Sequence, residues 1–484
     1  MEQKNKKKIS TQTIIKLLLA VVLLGLSAFL LKGDVWTFWT WWLLAGVMGF
    51  AAMPVTGRLF WRFEDKGWIF SKVLAIAATG FLTWFLTAIR LIPFNALTCA
   101  AVTILCAVIC FFLLRKESKE KTECFPVDRI SLIYWEELLF FLAFLMWTYL
   151  AGFRPAAYGT EKFMDYGFME AMMRSTTLPA RDLWYSEGHI NYYYGGQYFA
   201  VFLTKLSHTK VELTYNLMRT FVAGLAFAMP FSLVYQMMSD RMKGLQKSEK
   251  VIKGLPFAAG FTAGTAVSIA GNMHYVIYAQ IIPLIEKLTG KEVSSYWFPD
   301  ATRYIGYNPY REEDRTIHEF PCYSFVLGDL HAHVVNIMFV LLVIALLYVW
   351  LRGVRKKTVP VETSMKDGKF WKEQLLMPHL LVISALLGMF QWTNFWDFVI
   401  YYVVTLGTVL FANIIRFQGK IKKIMVVTFA QMAEIYLLAY LVILPFTLQF
   451  DTMVDGIGIA KYHSYFYQLL VLWGLPAVFT ITFV

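Results

Sequence analysis

Twelve stretches of this chain stay apolar long enough to cross a bilayer: residues 13–31, 35–54, 69–89, 93–114, 132–153, 214–238, 255–280, 334–351, 375–391, 398–415, 424–448 and 466–484. A spanning helix takes about 20 apolar residues, so the sequence predicts an all-α fold, a polytopic transmembrane helical bundle of about twelve helices. Composition agrees, with 58% of the 484 residues hydrophobic and 16% charged, where a soluble domain carries about 25% charged residues. Too little charge is present to cover several soluble cores, which excludes a soluble enzyme, and the apolar content excludes a disordered chain. The five cysteines suggest neither a disulfide scaffold nor a Cys-x-x-Cys metal site: Cys99, Cys106 and Cys110 share one apolar run, and Cys124 and Cys322 stand apart.

The net charge of +12 would suit nucleic acid if the basic residues shared one folded face. They fall instead in short runs between apolar segments. With the amino terminus in the cytoplasm, alternate connections carry Arg58/Arg62/Lys66, Arg115/Lys116/Lys119/Lys121/Arg129, Arg241/Lys243/Lys247/Lys250/Lys253, Arg352/Arg355/Lys356/Lys357 and Arg416/Lys420/Lys422/Lys423. Lys and Arg concentrate in cytoplasmic loops, so these connections are read as inner ones. The outer connections are then 154–213, 281–333, 392–397 and 449–465. A multi-pass protein of the cell membrane is expected, with lipid bilayer as its partner and no nucleic acid.

Lys4, Lys6, Lys7 and Lys8 precede the first run as in a signal peptide, but no small-residue exit follows and a second span begins at once. The first run is read as an uncleaved helix. Residues 1–130 are expected to form a four-helix transmembrane subbundle and 131–484 the core. The last run ends at Val484 without a polar flank, so the chain reads as a fragment cut inside or just after a helix.

The polar residues that could carry chemistry collect in the two long outer loops. In the first, Met164–Arg174 has apolar residues at helical spacing (Met164, Phe168, Met172, Met173) and is expected to lie in the membrane interface as an amphipathic helix. Asp165, near its start, is a candidate general base, with Glu161 beside it; equally, both acids could simply cap the helix. Lys162, Asp182, Trp184 and Asn191 accompany them. Tyr192, Tyr193 and Tyr194 form either part of an interfacial aromatic belt or a stacking surface for a sugar ring or lipid head group.

The second loop holds Trp297, Asp300 and Arg303, a charged patch at Arg311–Arg315 read as solvated, then Glu319 and the run Asp329-Leu330-His331-Ala332-His333. If extended, Asp329, His331 and His333 point one way; if helical, Asp329 and His333 share a face. Either geometry lets two of the three meet a divalent metal or a phosphate, or all three could hydrogen-bond their neighbours. Polar interruptions at Gly271-Asn272 and at Gln391–Asp397, which includes Asn394 and Asp397, are of the kind tolerated beside a cavity. Glu434, with Gln431, falls inside a span and reads as a protonated side chain bonded between helices.

The stretches EKFMDYGF, RDLWY, INYYYGG, HEFPCYSFVLGDLHAH, TNFWD and GWIFSKVLAIAATGFLTWF resemble the YYY-motif membrane protein family, a family without an assigned function. That family is in turn similar to the GT-C superfamily of membrane glycosyltransferases, which take sugars from polyprenyl-phosphate carriers outside the membrane. The resemblance implies a GT-C-like core, an acidic residue after a core helix at Asp165, and carrier-phosphate binding by Arg303, His331 and His333. The chain departs from the family pattern at Gly195 and Cys322, where aromatics are expected, and this bears on substrate shape.

The leading expectation is transfer of a sugar from a polyprenyl-phosphate-linked donor to an unidentified acceptor. Asp165 and Glu161 are its catalytic candidates. Lys162, Asp182, Trp184, Asn191, Tyr192, Tyr193, Tyr194, Arg303, Glu319, Asn394 and Asp397 are its substrate-binding candidates, and Asp329, His331 and His333 would hold magnesium or manganese. A transporter or flippase would need ionisable residues at the bilayer midplane in repeated, broken helices, and few exist besides Glu434. A non-catalytic envelope-assembly protein would leave the motif residues dispensable.

Overall fold

A computed structural model describes residues 10–120, 125–159, 161–244, 249–354, 364–452 and 458–483. Lys4, Lys6, Lys7, Lys8, Lys121, Cys124, Lys247, Arg355, Lys356 and Lys357 lie outside these. The helices are α1 (Thr11–Leu31), α2 (Val35–Leu59), α3 (Trp68–Ala88), α4 (Ala96–Glu120), α5 (Ile130–Ala151) and α6 (Lys162–Arg174). There follow α7 (Gly195–Ser207), α8 (Val211–Gly244), α9 (Glu249–Ser268), α10 (Ile282–Leu288), α11 (Pro321–Leu327) and α12 (Ala332–Val354). The chain continues with α13 (Gly368–Gln374), α14 (Pro378–Thr393), α15 (Phe395–Phe417), α16 (Ile421–Thr447) and α17 (Phe466–Phe483). No strand occurs among the described residues, and the all-α polytopic bundle read from the sequence is what the chain forms.

A helix occupies each predicted window. Among the described residues, eight helical segments, with α1 and α2 taken together, are long and apolar enough to cross a membrane; the pair α13–α14, bent by 56°, makes nine. Trp39 Nε1 donates to Ser27 Oγ at 3.0 Å, although twelve residues of straight helix would separate them by about 18 Å. The chain therefore folds back between α1 and α2, at Lys32–Asp34. The span expected over 255–280 stops at Ser268. Asn272 spends its side chain on the loop instead, donating from Nδ2 to Ala301 O at 2.7 Å.

Basic residues from several connections meet at one end of the bundle. Glu64 is paired with Lys243 at 2.5 Å and Arg129 at 3.3 Å, Arg352 with Asp240 at 3.0 Å, and Arg58 donates to Leu113 O. At the other end, α6, α7 and α11 lie beside the starts of α8 and α12. Helix α8 is the axis of the packing: 34 residues make it about 51 Å long, well beyond a hydrocarbon core of about 30 Å. One apolar core runs from α2 and α3 through α7, α8, α12 and α14. Leu17, Val21, Leu97, Ile104, Phe411 and Phe429 on the outer helices are exposed, as lipid-facing side chains would be.

Candidate functional site

The short helix α7 fixes where the polar groups meet. Its residues from Gly195 to Lys205 are all buried, so it has no solvent face and sits inside the bundle, packed on α6, α4 and α12. Its first turn lies flush on the end of α14: a Cβ at Gly195 would come within 2.7 Å of Thr393 and 2.9 Å of Trp392. An aromatic side chain, expected at 195 from the family pattern, has no room there.

Helix α6 shows the predicted apolar stripe, but its covering is protein. Phe168, Met169, Ala171 and Met172 are buried, and α6 packs on α7 and α8, which corrects the expectation of a helix lying in the lipid interface. Glu161 stands at the N-cap position and makes no side-chain cap. Asp165, one turn in, points inward and is fully buried. Its Oδ1 accepts from Gln197 Nε2 of α7 at 2.6 Å, and the same Nε2 reaches Leu330 O at 3.2 Å. Its Oδ2 has no hydrogen-bond partner. Burial pushes the Asp165 carboxyl up to about 8; the Gln197 hydrogen bond opposes this, and the charges of Asp329 and Glu161 add to it.

Facing Asp165 is the turn between α11 and α12. His331 Nε2 lies 3.5 Å from Glu161 Oε2 and 3.8 Å from Asp165 Oδ2, at ion-pair distance of both, and is buried without a hydrogen bond. His333 Nε2 is 3.1 Å from Glu319 Oε2, which also accepts from Ser324 Oγ at 3.0 Å. Burial raises the Glu319 carboxyl, but His333, His331 and Ser324 outweigh it and leave the group below its ordinary range. The ligand-type atoms of Glu319, His331 and His333 all lie within 4.8 Å of one another.

Asp329 does not join that group. Neither geometry considered for Asp329-x-His331-x-His333 forms, because α12 begins at Ala332, leaving Asp329 and His331 in irregular backbone and placing His333 in the first helical turn. Asp329 is buried on the side of Lys162 and Arg219, whose charges it compensates. Those two cations flank Gly328: a Cβ there would lie 2.7 Å from Arg219 Nη1 and 3.2 Å from Lys162 Nζ, and φ is +93°. Burial pulls the Lys162 ammonium below its ordinary value, Asp329 opposes this, and Arg219 and Arg154 add to it.

The remaining candidates separate into different roles. Asp182 Oδ1 accepts from the N–H groups of Trp184 and Tyr185, a turn-forming arrangement. Asn191 exchanges hydrogen bonds with the Asp451 backbone at 2.9 and 3.0 Å, tying the first outer loop to the end of α16. Tyr192 and Tyr193 stack at 4.2 Å and remain partly accessible. Tyr194 is sealed in the core, its hydroxyl accepting from Trp84 Nε1 at 3.0 Å, which corrects its expected place on a ligand-stacking surface. Arg303 donates to Tyr323 OH at 3.3 Å and lies over Trp297, which is exposed. Asn394 and Asp397 form a cluster with Asn336 of α12, whose Nδ2 donates to Asp397 at 2.6 Å.

With the geometry in place, comparison with known families is informative: the sequence pattern of a family described as uncharacterized membrane proteins, DUF2298, fits residues 76–484. The chain belongs to the DUF2298 family. No curated protein matches it. No solved structure matches it either.

The stretch that aligns with DUF2298 includes every candidate residue above. It also includes two that sequence reasoning missed. Gln197 hides in a helix too short to be read as a span. Arg219 lies within α8, donating to Phe325 O at 2.7 Å and to Asn216 Oδ1 at 2.8 Å. An arginine inside an apolar run was the signal available for it, since ionisable residues in spans mark functional or structural polar sites.

Proposed function

We propose that this chain transfers a sugar from a polyprenyl-phosphate-linked donor to an acceptor hydroxyl at the extracytoplasmic face of the membrane. One observation carries the reading: the buried Asp165 carboxyl, oriented by Gln197, turns an unpartnered oxygen toward His331 at the membrane-boundary end of the bundle. Raised to about 8, the carboxyl is protonated in most molecules at pH 7 and acts as a strong base in the ionised fraction, which grows as pH rises toward 8. In the proposed step Asp165 Oδ2 takes the acceptor hydroxyl proton while that oxygen bonds to the sugar's anomeric carbon. The bond from that carbon to the carrier phosphate oxygen breaks, and the electron pair leaves with the phosphate. Lys162 and Arg303 supply positive charge toward the departing phosphate and His331 and His333 polar ring nitrogens, while Tyr192 and Tyr193 offer a ring face for the sugar.

The extracytoplasmic assignment rests on Arg58, Arg129, Lys243 and Arg352 gathering at the opposite end of the bundle. The test is to reconstitute the full chain in proteoliposomes, supply polyprenyl-phosphate hexoses with acceptor extracts, and measure free polyprenyl phosphate. Carrier release dependent on acceptor supports transfer. Movement of intact donor across the bilayer without release replaces transfer by transport.

A further inference from the structure

We propose that Glu319, His331 and His333 bind a divalent transition metal of borderline softness, zinc foremost, in a three-ligand site with an open position. This goes beyond the sugar-transfer reading and does not rest on it.

The simplest alternative is that Glu319 and His333 are a hydrogen-bonded pair and His331 a bystander. Two orphaned atoms speak against it. His331 Nε2 is buried with no hydrogen-bond partner, at ion-pair distance of Glu161 Oε2 (3.5 Å) and of Oδ2 of the fully buried Asp165 (3.8 Å), and that Oδ2 has no hydrogen-bond partner either. Those separations are too long for a good hydrogen bond, and leaving two buried polar atoms without one is costly. A cation bound at His331 would satisfy its nitrogen and give Asp165 a positive neighbour.

The spacing is close to what coordination needs. Ligands at about 2.0 Å from a tetrahedral zinc sit roughly 3.3 Å apart, and Glu319 Oε2 and His333 Nε2 are 3.1 Å apart. The set as a whole lies within 4.8 Å, so reaching that spacing takes a closure of up to about 1.5 Å, within the range of a side-chain rotation. Ser324 Oγ holds Glu319 by donating to the oxygen that faces His333, the supporting contact expected around a ligating carboxylate. The donor set decides the class of metal. Magnesium takes oxygen ligands and keeps its waters, whereas two imidazoles and one carboxylate suit zinc and, less well, manganese. This shifts the expectation away from magnesium, and from Asp329 to Glu319.

The test uses the purified full chain, stripped with chelator and dialysed against zinc, manganese or magnesium, with bound metal measured by elemental analysis. Cobalt substitution provides a second readout through its visible absorption in an N/O site. One zinc per chain is expected, with magnesium failing to compete at hundredfold excess. Glu319→Gln keeps the side-chain volume and the Ser324 contact, and His333→Gln removes an imidazole; each should weaken zinc binding by at least tenfold while the protein elutes as the wild type does on size exclusion. Absence of stoichiometric zinc in the wild type, preference for magnesium, or full zinc retention in both variants would overturn the inference. A chain that binds zinc but releases no carrier leaves this site standing and removes the transfer reading.

Discussion

Gln197 Nε2 lies 2.6 Å from Asp165 Oδ1, and this contact joins a helix buried inside the bundle to the first turn of the helix that follows α5. The same nitrogen reaches Leu330 O, one residue before His331. One amide therefore fixes both sides of the site. Replacing it by leucine, of similar size, should strip a donor from two buried acceptors. We expect Gln197→Leu to destabilise the protein by about 2 kcal/mol and to slow transfer about tenfold or more through loss of Asp165 orientation. Thermal unfolding in detergent and carrier-release assays check the two effects separately.

The tyrosine triplet should divide by position. Tyr194→Phe leaves Trp84 Nε1 buried without an acceptor, at a cost of about 1–3 kcal/mol, and should leave the kinetics of transfer within about twofold of wild type. Tyr193→Ala, at the accessible stacked pair, should raise KM with little change in kcat, as expected for loss of uniform binding. Steady-state kinetics on both variants distinguish core from surface.

Asp65, in the connection between α2 and α3, predicts a pH effect on stability. Burial pushes its carboxyl up to about 6 from an ordinary 3.8, against the N–H groups of Gly67 and Trp68. Folded protein thus holds a proton that unfolded chain releases between pH 3.8 and about 6. Asp65 shares this environment with the buried Glu136 carboxyl, and the contribution of the protonated form is fully present below that window and lost as pH rises through it. Asp65→Asn, which can still accept from the Trp68 N–H, should flatten the melting temperature across the window; an unchanged slope would show that other groups set it.

Sidedness can be read directly. Ile459→Cys, at a 98% exposed position near the outer loops, should react with a membrane-impermeant thiol reagent on intact cells. Lys422→Cys, in the first turn of α16 at the basic end, should react only after permeabilisation. The reverse pattern would invert the topology.

The helical windows were legible because a bilayer demands long apolar runs and the chain supplies them. Where the sequence reading stopped short, the reason is local. The segment GGQYFAVFLTKLS is at 13 residues too short for a span, and nothing in its pattern shows that its polar positions are buried along with the apolar ones. The stripe on α6 was visible, but a stripe does not say whether lipid or protein covers it. At the metal candidates, residue types were legible and geometry was not: the spacing of Asp329, His331 and His333 implies a shared face only if one backbone conformation holds throughout. The start of α12 at Ala332 breaks that condition, and Glu319, ten residues before Asp329, takes the place beside the histidines.

The most direct test of the central claim is single-turnover, acceptor-dependent release of polyprenyl phosphate from a bound polyprenyl-phosphate hexose mixed with acceptor extract, comparing wild type with Asp165→Asn in nanodiscs. The variant keeps the side chain's shape and removes its capacity to take a proton. A general base contributes about 10²–10⁴ in rate, so release should fall at least a hundredfold while donor binding is retained. Equal rates in the two proteins would contradict the assignment of Asp165 as the base and, with it, the proposed reaction centre.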